Sequence, residues 1–429
     1  MMRKSLLFLL CLLALAPAYG QTYRQLREAP APVRPALQHA DVVYSPTVCS
    51  VRLHPAGAPD ALPIVPLPSL RQAPLLLGFD NLLPDPEYYE AKIIHCNADW
   101  EPSSVAAMDY LDDYNEFNIN NFELSVNTRV GYVHYDFELP PVKRSGNYLL
   151  KVYQEGQEDD LVLTWRFVVY EDAVQVGFRP SELATGLLAQ THQLLELQVM
   201  YGALDLPRPE EQMKVAVLQN GRWDNARPRL RQAFVNPQQR VIDYRHPDQS
   251  ATFPGGNEFR SFDLSDLENG GFQVGRIEQS DTLSQALLLL DKPRAGRVYD
   301  AMVRDRNGRY QPAVRQLPRP DTEADYVEVI FQLETGNPLP HPVHVLGAWN
   351  AWRPTEGNKM RYIASEGKYY VVQVMKQGFY DYLYWSAGPD PWAVEGSHRR
   401  TRNRYDVLVY YRELGSRGDR VVGYAVWEE

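Results

Sequence analysis

The 429-residue chain has 44% hydrophobic and 23% charged residues, enough apolar material for several cores and unlike a disordered or collagen-like polymer. Its formal net charge of −10 argues against nucleic acid and anionic lipid as partners, because phosphate binding needs clustered Lys and Arg.

Residues 1–20 have the three parts of a secretory signal: Arg3 and Lys4, the apolar run Leu6 to Leu15, and Ala18-Tyr19-Gly20 before Gln21. The run is too short to span a bilayer. Cys11 lies inside it without a small residue before it, which disfavours a lipoprotein anchor. Leu287 to Leu290, the longest purely leucine run, is also too short to cross a membrane. Removal of the signal takes away two basic residues and no acid, so the net charge moves from −10 to −12. The mature protein is expected to be soluble and outside the cytoplasm. Residues 21–40 hold three prolines and read as an extended arm.

Beyond the arm nearly every periodic segment has the two-residue period of a half-buried strand. Thr47 to Leu53, Pro74 to Phe79, Tyr88 to Cys96, Val130 to Leu139, Tyr148 to Tyr153 and Leu161 to Tyr170 form a first block. Within it, Ser103 to Tyr114 is the best helix candidate, with Tyr110, Tyr114 and Phe117 on one stripe. A second block follows with Leu195 to Tyr201, Val215 to Leu218, Val241 to Tyr244, Phe259 to Leu264, Gln285 to Leu290 and Val298 to Arg304. Asn220-Gly221 and Asn307-Gly308 are hairpin-turn signals, since both central residues of that turn need positive φ. Pro318 to Asp321 reads as a linker. Val327 to Leu333, Val343 to Leu346, Lys368 to Val374, Phe379 to Trp385, Tyr405 to Tyr411 and Val421 to Trp427 make a third block. The expected fold is all-β, with three immunoglobulin-like or early-set β-sandwich domains in series over residues 41–172, 173–319 and 320–429.

Local signals of common reaction centres are missing: the chain has no nucleophile elbow, P-loop, dinucleotide fingerprint or HExxH helix. His95-Cys96-Asn97 has the chemistry for a thiolate and its base. A strand, however, sends adjacent side chains to opposite faces, so a structural Cys and a hydrogen-bonded His are expected. Cys49 and Cys96 survive signal removal; in an oxidising compartment they form either a disulfide or two unpaired packed thiols. His341 and His344 are spaced like metal ligands but lack a third, and Pro342 between them argues for a loop. The acidic pairs Asp112-Asp113 and Asp159-Asp160 read as solvated turns. Gly347 to Trp352 (GAWNAW) resembles the turn of glycogen-binding-type sandwiches, where an Asn and the second aromatic hold the loop; paired indoles at Trp349 and Trp352 also suit a sugar ring. The basic run Arg399, Arg400, Arg402 and Arg404 reads as a solvated face or as a stripe for a carboxylate-rich partner. No cofactor or metal is implied, and binding rather than catalysis is expected.

His95 to Trp100 (HCNADW), Tyr132 to Tyr135 (YVHY) and Ser145 to Leu150 (SGNYLL) resemble the first domain of the type IX secretion plug proteins, long filed as a domain of unknown function in Bacteroidota. Gly256 to Arg260 (GNEFR) and Glu395 to His398 (EGSH), leading into Tyr405 to Tyr411, are similar to later landmarks of that family. The resemblance implies structural roles for His95, Asn97, Asp99, Trp100, His134, Asn147, Asn257, Glu258, Arg260 and Glu395, and no catalytic residue. It further implies a periplasmic protein, peripheral to the outer membrane, that docks beneath a translocon barrel of SprA type and closes its pore when no cargo is engaged; no homo-oligomer is expected. A periplasmic glycan-binding protein, resting on Trp349 and Trp352, is the alternative, and a hydrolase assembled from distant residues is a further one.

Overall fold

Period-two alternation yields strands throughout the computed structural model, which describes residues 35–181, 186–202, 204–245, 251–297, 305–315 and 317–428. The signal segment, the arm up to residue 34 and the strand expected over Val298 to Arg304 lie outside the described residues. No helix among the described residues is long and apolar enough to cross a membrane.

Six sheets pair into three layered units. In the first unit, Val42–Val43, Gln157–Tyr170, Gly146–Gln154, Tyr89–Cys96 and Phe117–Ile119 lie side by side, with Ile64–Pro66 added parallel to Gln157–Tyr170. Facing them are Val48–Pro55, Leu75–Asn81, Val133–Glu138 and Asn121–Leu124. Leu75, Leu77, Ile93 and Leu150 fill the space between, and Phe79 stacks on Tyr135 with centroids 4.9 Å apart.

The second unit corrects the expected serial order. Its first sheet is local: Gln175–Ser181, His192–Met200, Val241–Asp243 and Phe234–Asn236, with Thr252–Pro254 alongside His192–Met200. Its second sheet joins Arg222–Arg227 and Met213–Gln219 to Arg404–Tyr411 and Arg420–Glu428. The register runs unbroken from Met213 opposite Tyr411 to Gln219 opposite Tyr405. Val215, Val217, Val407 and Val409 are all fully buried in one core with Leu195 and Leu197. The boundary expected at 319/320 therefore does not separate two folding units. Alternation marks a strand and its faces but carries no information on its partner, so a return across the chain is invisible to it.

The third unit is inserted between Thr252–Pro254 and Arg404–Tyr411. Val274–Glu278, Ser284–Leu288, Tyr326–Glu334, Lys368–Lys376 and Arg361–Ile363 make one sheet, in which Ser284–Leu288 and Tyr326–Glu334 run parallel. Arg260–Asp263, Gly378–Ser386 and Tyr310–Pro312, with Val343–Leu346 on Gly378–Ser386, make the other. Phe262, Phe331, Tyr380 and Tyr382 pack between them.

The helix expected over Ser103 to Tyr114 is not formed; only Ala107–Asp109 make a 3₁₀ turn. Tyr110 and Leu111 are adjacent yet both buried, and the Tyr110 hydroxyl donates to the Ile93 carbonyl at 2.8 Å. Tyr114, from the same expected stripe, is 80% exposed. Two neighbouring anchors suit an irregular loop pinned to the sheet better than a helical stripe.

Both Asn-Gly pairs adopt the expected turn, with φ of 57° and 66° at Asn220 and Gly221, and 53° and 80° at Asn307 and Gly308. A Cβ on Gly221 would sit 2.7 Å from the Leu62 side chain. Gly221→Ala should therefore cost about 1–2 kcal/mol from the left-handed backbone alone, with the contact added. A thermal melt unchanged from wild type would contradict this.

Candidate functional site

The residues singled out by sequence gather where the three units meet. The first seam lies between units one and two. Gly146–Gln154 in the first unit's larger sheet is buried on both faces, whereas its neighbour Tyr89–Cys96 is buried on one face and half-exposed on the other except at Cys96. Their outer face, with Cys96, Leu149 and Val168, packs on Ala216, Leu218, Leu408, Tyr410 and Val421. A polar knot closes the edge of this apolar patch. Tyr410 donates to the Asn147 side-chain oxygen at 3.1 Å, and Asn147 donates to the Asn97 carbonyl at 3.1 Å. The Asn97 side chain accepts from Arg412 at 2.5 Å and from the Asp419 N–H at 3.2 Å. Asp419, 1% exposed, in turn accepts from the Ala98 N–H, from Lys214 at 3.1 Å and from Arg412 at 2.7 Å. Trp100, at φ +68°, meets Trp223 edge to face at 4.8 Å, and the Arg166 guanidinium covers both indoles. Asp99 is exposed and only closes its own turn onto the Glu101 N–H.

The seam between units one and three is built on charge. Asp80 is fully buried and joins three partners: His134 Nδ1, Lys376 Nζ and the Tyr326 hydroxyl, each at 2.6 Å. Lys376, 1% exposed, also donates to the Asp321 carbonyl at 2.6 Å. Around this centre Arg52 meets Asp321 at 2.6 Å, the Arg129 and Val130 N–H groups donate to Asp325, and Tyr132 donates to the Ala324 carbonyl at 2.8 Å. Burial alone would raise the Asp80 pKa, but the Lys376 ammonium and the bonded His134 hold it low. Burial would lower that of His134; hydrogen bonds to Asp136 and Asp80 outweigh it and push His134 up to about 9 from 6.5. The stabilisation from protonated His134 is thus complete below pH 6.5 and disappears as pH rises through about 9. We expect His134→Gln to lower the urea midpoint at pH 6 and to match the wild type above pH 9.5; parallel pH profiles for the two proteins would refute the assignment.

The third seam holds the two crossings into and out of the inserted unit. Glu395, 1% exposed, accepts from Arg260 Nε at 3.0 Å, Arg294 Nε at 2.6 Å and the Tyr384 N–H at 2.9 Å. Asn257 donates to the Glu395 carbonyl at 2.9 Å, and Glu258 accepts from the Arg402 N–H at 3.0 Å. The Gly256 carbonyl accepts from the His398 N–H and from Thr401 Oγ1, both at 2.8 Å. The segments GNEFR and EGSH, distant in sequence, are therefore one double linker.

Cys49 and Cys96 are both free and belong to different apolar clusters, which corrects the possible bridge. Burial pushes both thiols up to about 12. His95 turns away from Cys96 to bond Ser103 Oγ at 2.7 Å, and burial, reinforced by Arg144, holds its pKa down to about 4. The tripeptide is thus no thiolate–base couple. His344 bonds Asn358 at 3.0 Å while His341 is exposed, and no group of three or more His, Cys, Asp or Glu among the described residues is placed to hold a metal.

The basic run does not form a stripe. Arg402 lies 3.6 Å from Glu258, and Arg404 pairs with Asp406 at 2.8 Å and Glu428 at 3.3 Å. Arg400 is the exposed member, and the Arg399 backbone is tied to Gln190 and Gln193. Trp349 packs on the third core, stacked on Phe331, and donates to Gln373 at 2.9 Å. Trp352 lies beneath Arg222 at 4.0 Å. The two indoles are thus separated, without a shared platform for a sugar ring. Asn350 does hold their turn, bonding the Gly347 N–H and the Val345 carbonyl.

Residues 48–171, the first unit, match the family model described as the type 9 secretion system plug protein 1st domain. The match covers this unit alone and identifies a plug-family domain there. The plug domain supports a role related to type 9 secretion. A crystal structure of a hypothetical protein from Parabacteroides merdae ATCC 43184 is similar over 92% of this chain and 100% of its own, at 28% identity and a TM-score of 0.85. No curated protein matches. The similarity to that crystal structure extends well beyond the plug domain to the inserted and returning units.

Sequence reasoning missed Asp80, Lys376, Asp321, Asp325, Asp419 and Arg166 as members of the seams. Asp80 carried a signal: it is a carboxylate at the end of the apolar run Leu75 to Phe79. Lys376 ends a strand, Asp321 sits in the short helix Pro320–Glu323, and Asp325 and Asp419 lie in loops, where charge is ordinary; Arg166 lies within Gln157–Tyr170.

Proposed function

We propose that the chain is the periplasmic plug subunit of the type 9 secretion translocon, seated beneath the outer-membrane barrel of SprA type and closing its pore when no cargo is engaged. The observation that carries this reading is the three buried seams, which join three two-layered units into one body. A stopper obstructs by shape, and such a body resists deformation because its close-packed contacts do not yield continuously. The plug-family domain supplies the setting, and the absence of a long apolar helix among the described residues suits a peripheral attachment.

A removable stopper calls for a standard-sized, partly polar interface rather than an obligate apolar one. The most exposed large apolar side chains, Met108 at 78% and Tyr114 at 80%, lie on the first unit in the irregular loop following Cys96. Met and aromatic residues are the types that interface cores favour. This loop is the primary contact we assign, with Arg400 as a secondary one. The test is affinity purification of the tagged protein from detergent-solubilised outer membranes of cells that are not secreting. Recovery of the translocon barrel, reduced at least tenfold by Met108→Asp with Tyr114→Asp, is expected. Failure to recover the barrel with the wild-type protein would sink the reading.

A further inference from the structure

Three sequence motifs with no part in the seams converge on one place. The Asn220-Gly221 turn, the Asn307-Gly308 turn and the Gly347 to Trp352 loop all border a cavity of about 300 Å³ at the junction of the three units. Gly221 approaches Leu62, and a Cβ on Gly308 would stand 2.6 Å from the Trp352 ring, so both glycines let their turns close onto the rim. The walls are apolar and aromatic: Leu53, Ile64, Trp165, Trp223, Tyr310 and Trp352. The volume lies at the lower end of small-ligand pockets, about 300–1,000 Å³.

The charged groups at the cavity differ in how they are occupied. Arg166 is held bidentately by Asp41 and Arg222 by Asp224, and Arg52 donates once to Asp321. Arg309 and Arg353 are not carboxylate-bound: Arg309 donates to the Asp60 carbonyl, and Arg353 to the Gln38 side chain at 2.7 Å. Arg309 Nε is buried with no hydrogen-bond acceptor. Asp406 and Glu428 are within electrostatic reach of Arg309, but both are bonded to Arg404. A buried donor without an acceptor is destabilising, and an anion is the partner that best offsets it.

We propose that this cavity binds a carboxylate carried on an aromatic or branched apolar group, with the apolar part among the tryptophans and the carboxylate on Arg309. The same chemistry is presented by a free aromatic acid and by an acidic-aromatic pair in an extended peptide. The site is independent of the translocon reading, because its test uses the full mature chain alone.

The probe is 3-phenylpropionate, followed by saturation-transfer NMR, with 2-phenylethylamine as the control of similar ring and opposite charge. Transfer to the acid at least threefold stronger than to the amine is expected. Two variants should each reduce the acid signal at least fivefold: Arg309→Met, and Ala61→Trp, which fills the rim from an exposed position and leaves the cores untouched. Their melting curves establish that they fold. Displacement of the acid by a capped Gly-Phe-Asp-Gly peptide assigns the natural ligand to a peptide chain, and no displacement assigns it to a small molecule. Equal transfer to acid and amine, no transfer to either, or an unchanged signal in a folded Ala61→Trp protein would overturn the proposal.

Discussion

Lys376→Met is expected to lower the unfolding free energy by about 3–5 kcal/mol, because it strands the fully buried Asp80 carboxylate without its ammonium partner. The loss comes from leaving the buried carboxylate in a dry seam with His134, shared with Asp136, as its one remaining cationic partner, more than from the attraction itself. Asp80→Asn introduced together with Lys376→Met should therefore recover at least half of the loss, since the stranded charge is then gone and a hydrogen bond to His134 can persist. Urea denaturation of the two single variants and the double variant closes the cycle. A single-variant cost below about 1 kcal/mol would mean that water reaches Asp80 and that the seam is not dry.

Glu395→Gln should be nearly as damaging, by about 3 kcal/mol, since one carboxylate there neutralises both Arg260 and Arg294. Arg260 would keep Asp291, and Arg294 would keep the Glu258 carbonyl, so the unit should still fold. What should change is the double linker. Limited proteolysis is expected to cut the variant within residues 254–260 or 395–404 while the wild type resists. The acid response has a definite sign: burial would raise the Glu395 pKa, but Arg260 and Arg294 outweigh it and lower it below 4.5. Its stabilisation is thus present above pH 4.5 and lost only as pH falls through that lowered value. Cleavage at the same rate in variant and wild type would show that the linkers are held by other contacts.

The fold was readable where one physical pattern dominates. Strands such as Leu195 to Tyr201 and Val327 to Leu333 declared themselves by alternation, and the two Asn-Gly turns by their need for positive φ. Pairing partners were not readable, and the serial arrangement failed at Met213–Gln219 because its neighbour Arg404–Tyr411 lies far along the chain. Glu328 and Gln332 illustrate a second limit. Alternation marks them as outward-facing, yet they are 2% and 8% exposed on a central strand, where Glu328 accepts from Gln285 and Gln332 donates to the Leu288 carbonyl. The basic run had two readings: Arg404 pairs with Asp406 two residues on, as local ion pairing allows, whereas Arg402 with Glu258 and Arg404 with Glu428 meet carboxylates that local spacing does not disclose. Family landmarks such as HCNADW, GNEFR and EGSH were visible as strings, but only the folded chain explains them as the fastenings between units.

The return of the final strands has a consequence for folding during synthesis. Met213–Gln219 and Arg222–Arg227 are synthesised long before Arg404–Tyr411 and Arg420–Glu428, which complete their sheet. The first unit, and then the inserted one, have all their strands at hand and are free to fold early, whereas the middle unit waits with Val215 and Val217 uncovered until the last residues arrive. A chain cut short before residue 404 would keep two finished units around an open apolar sheet, which quality-control proteases would recognise as incomplete.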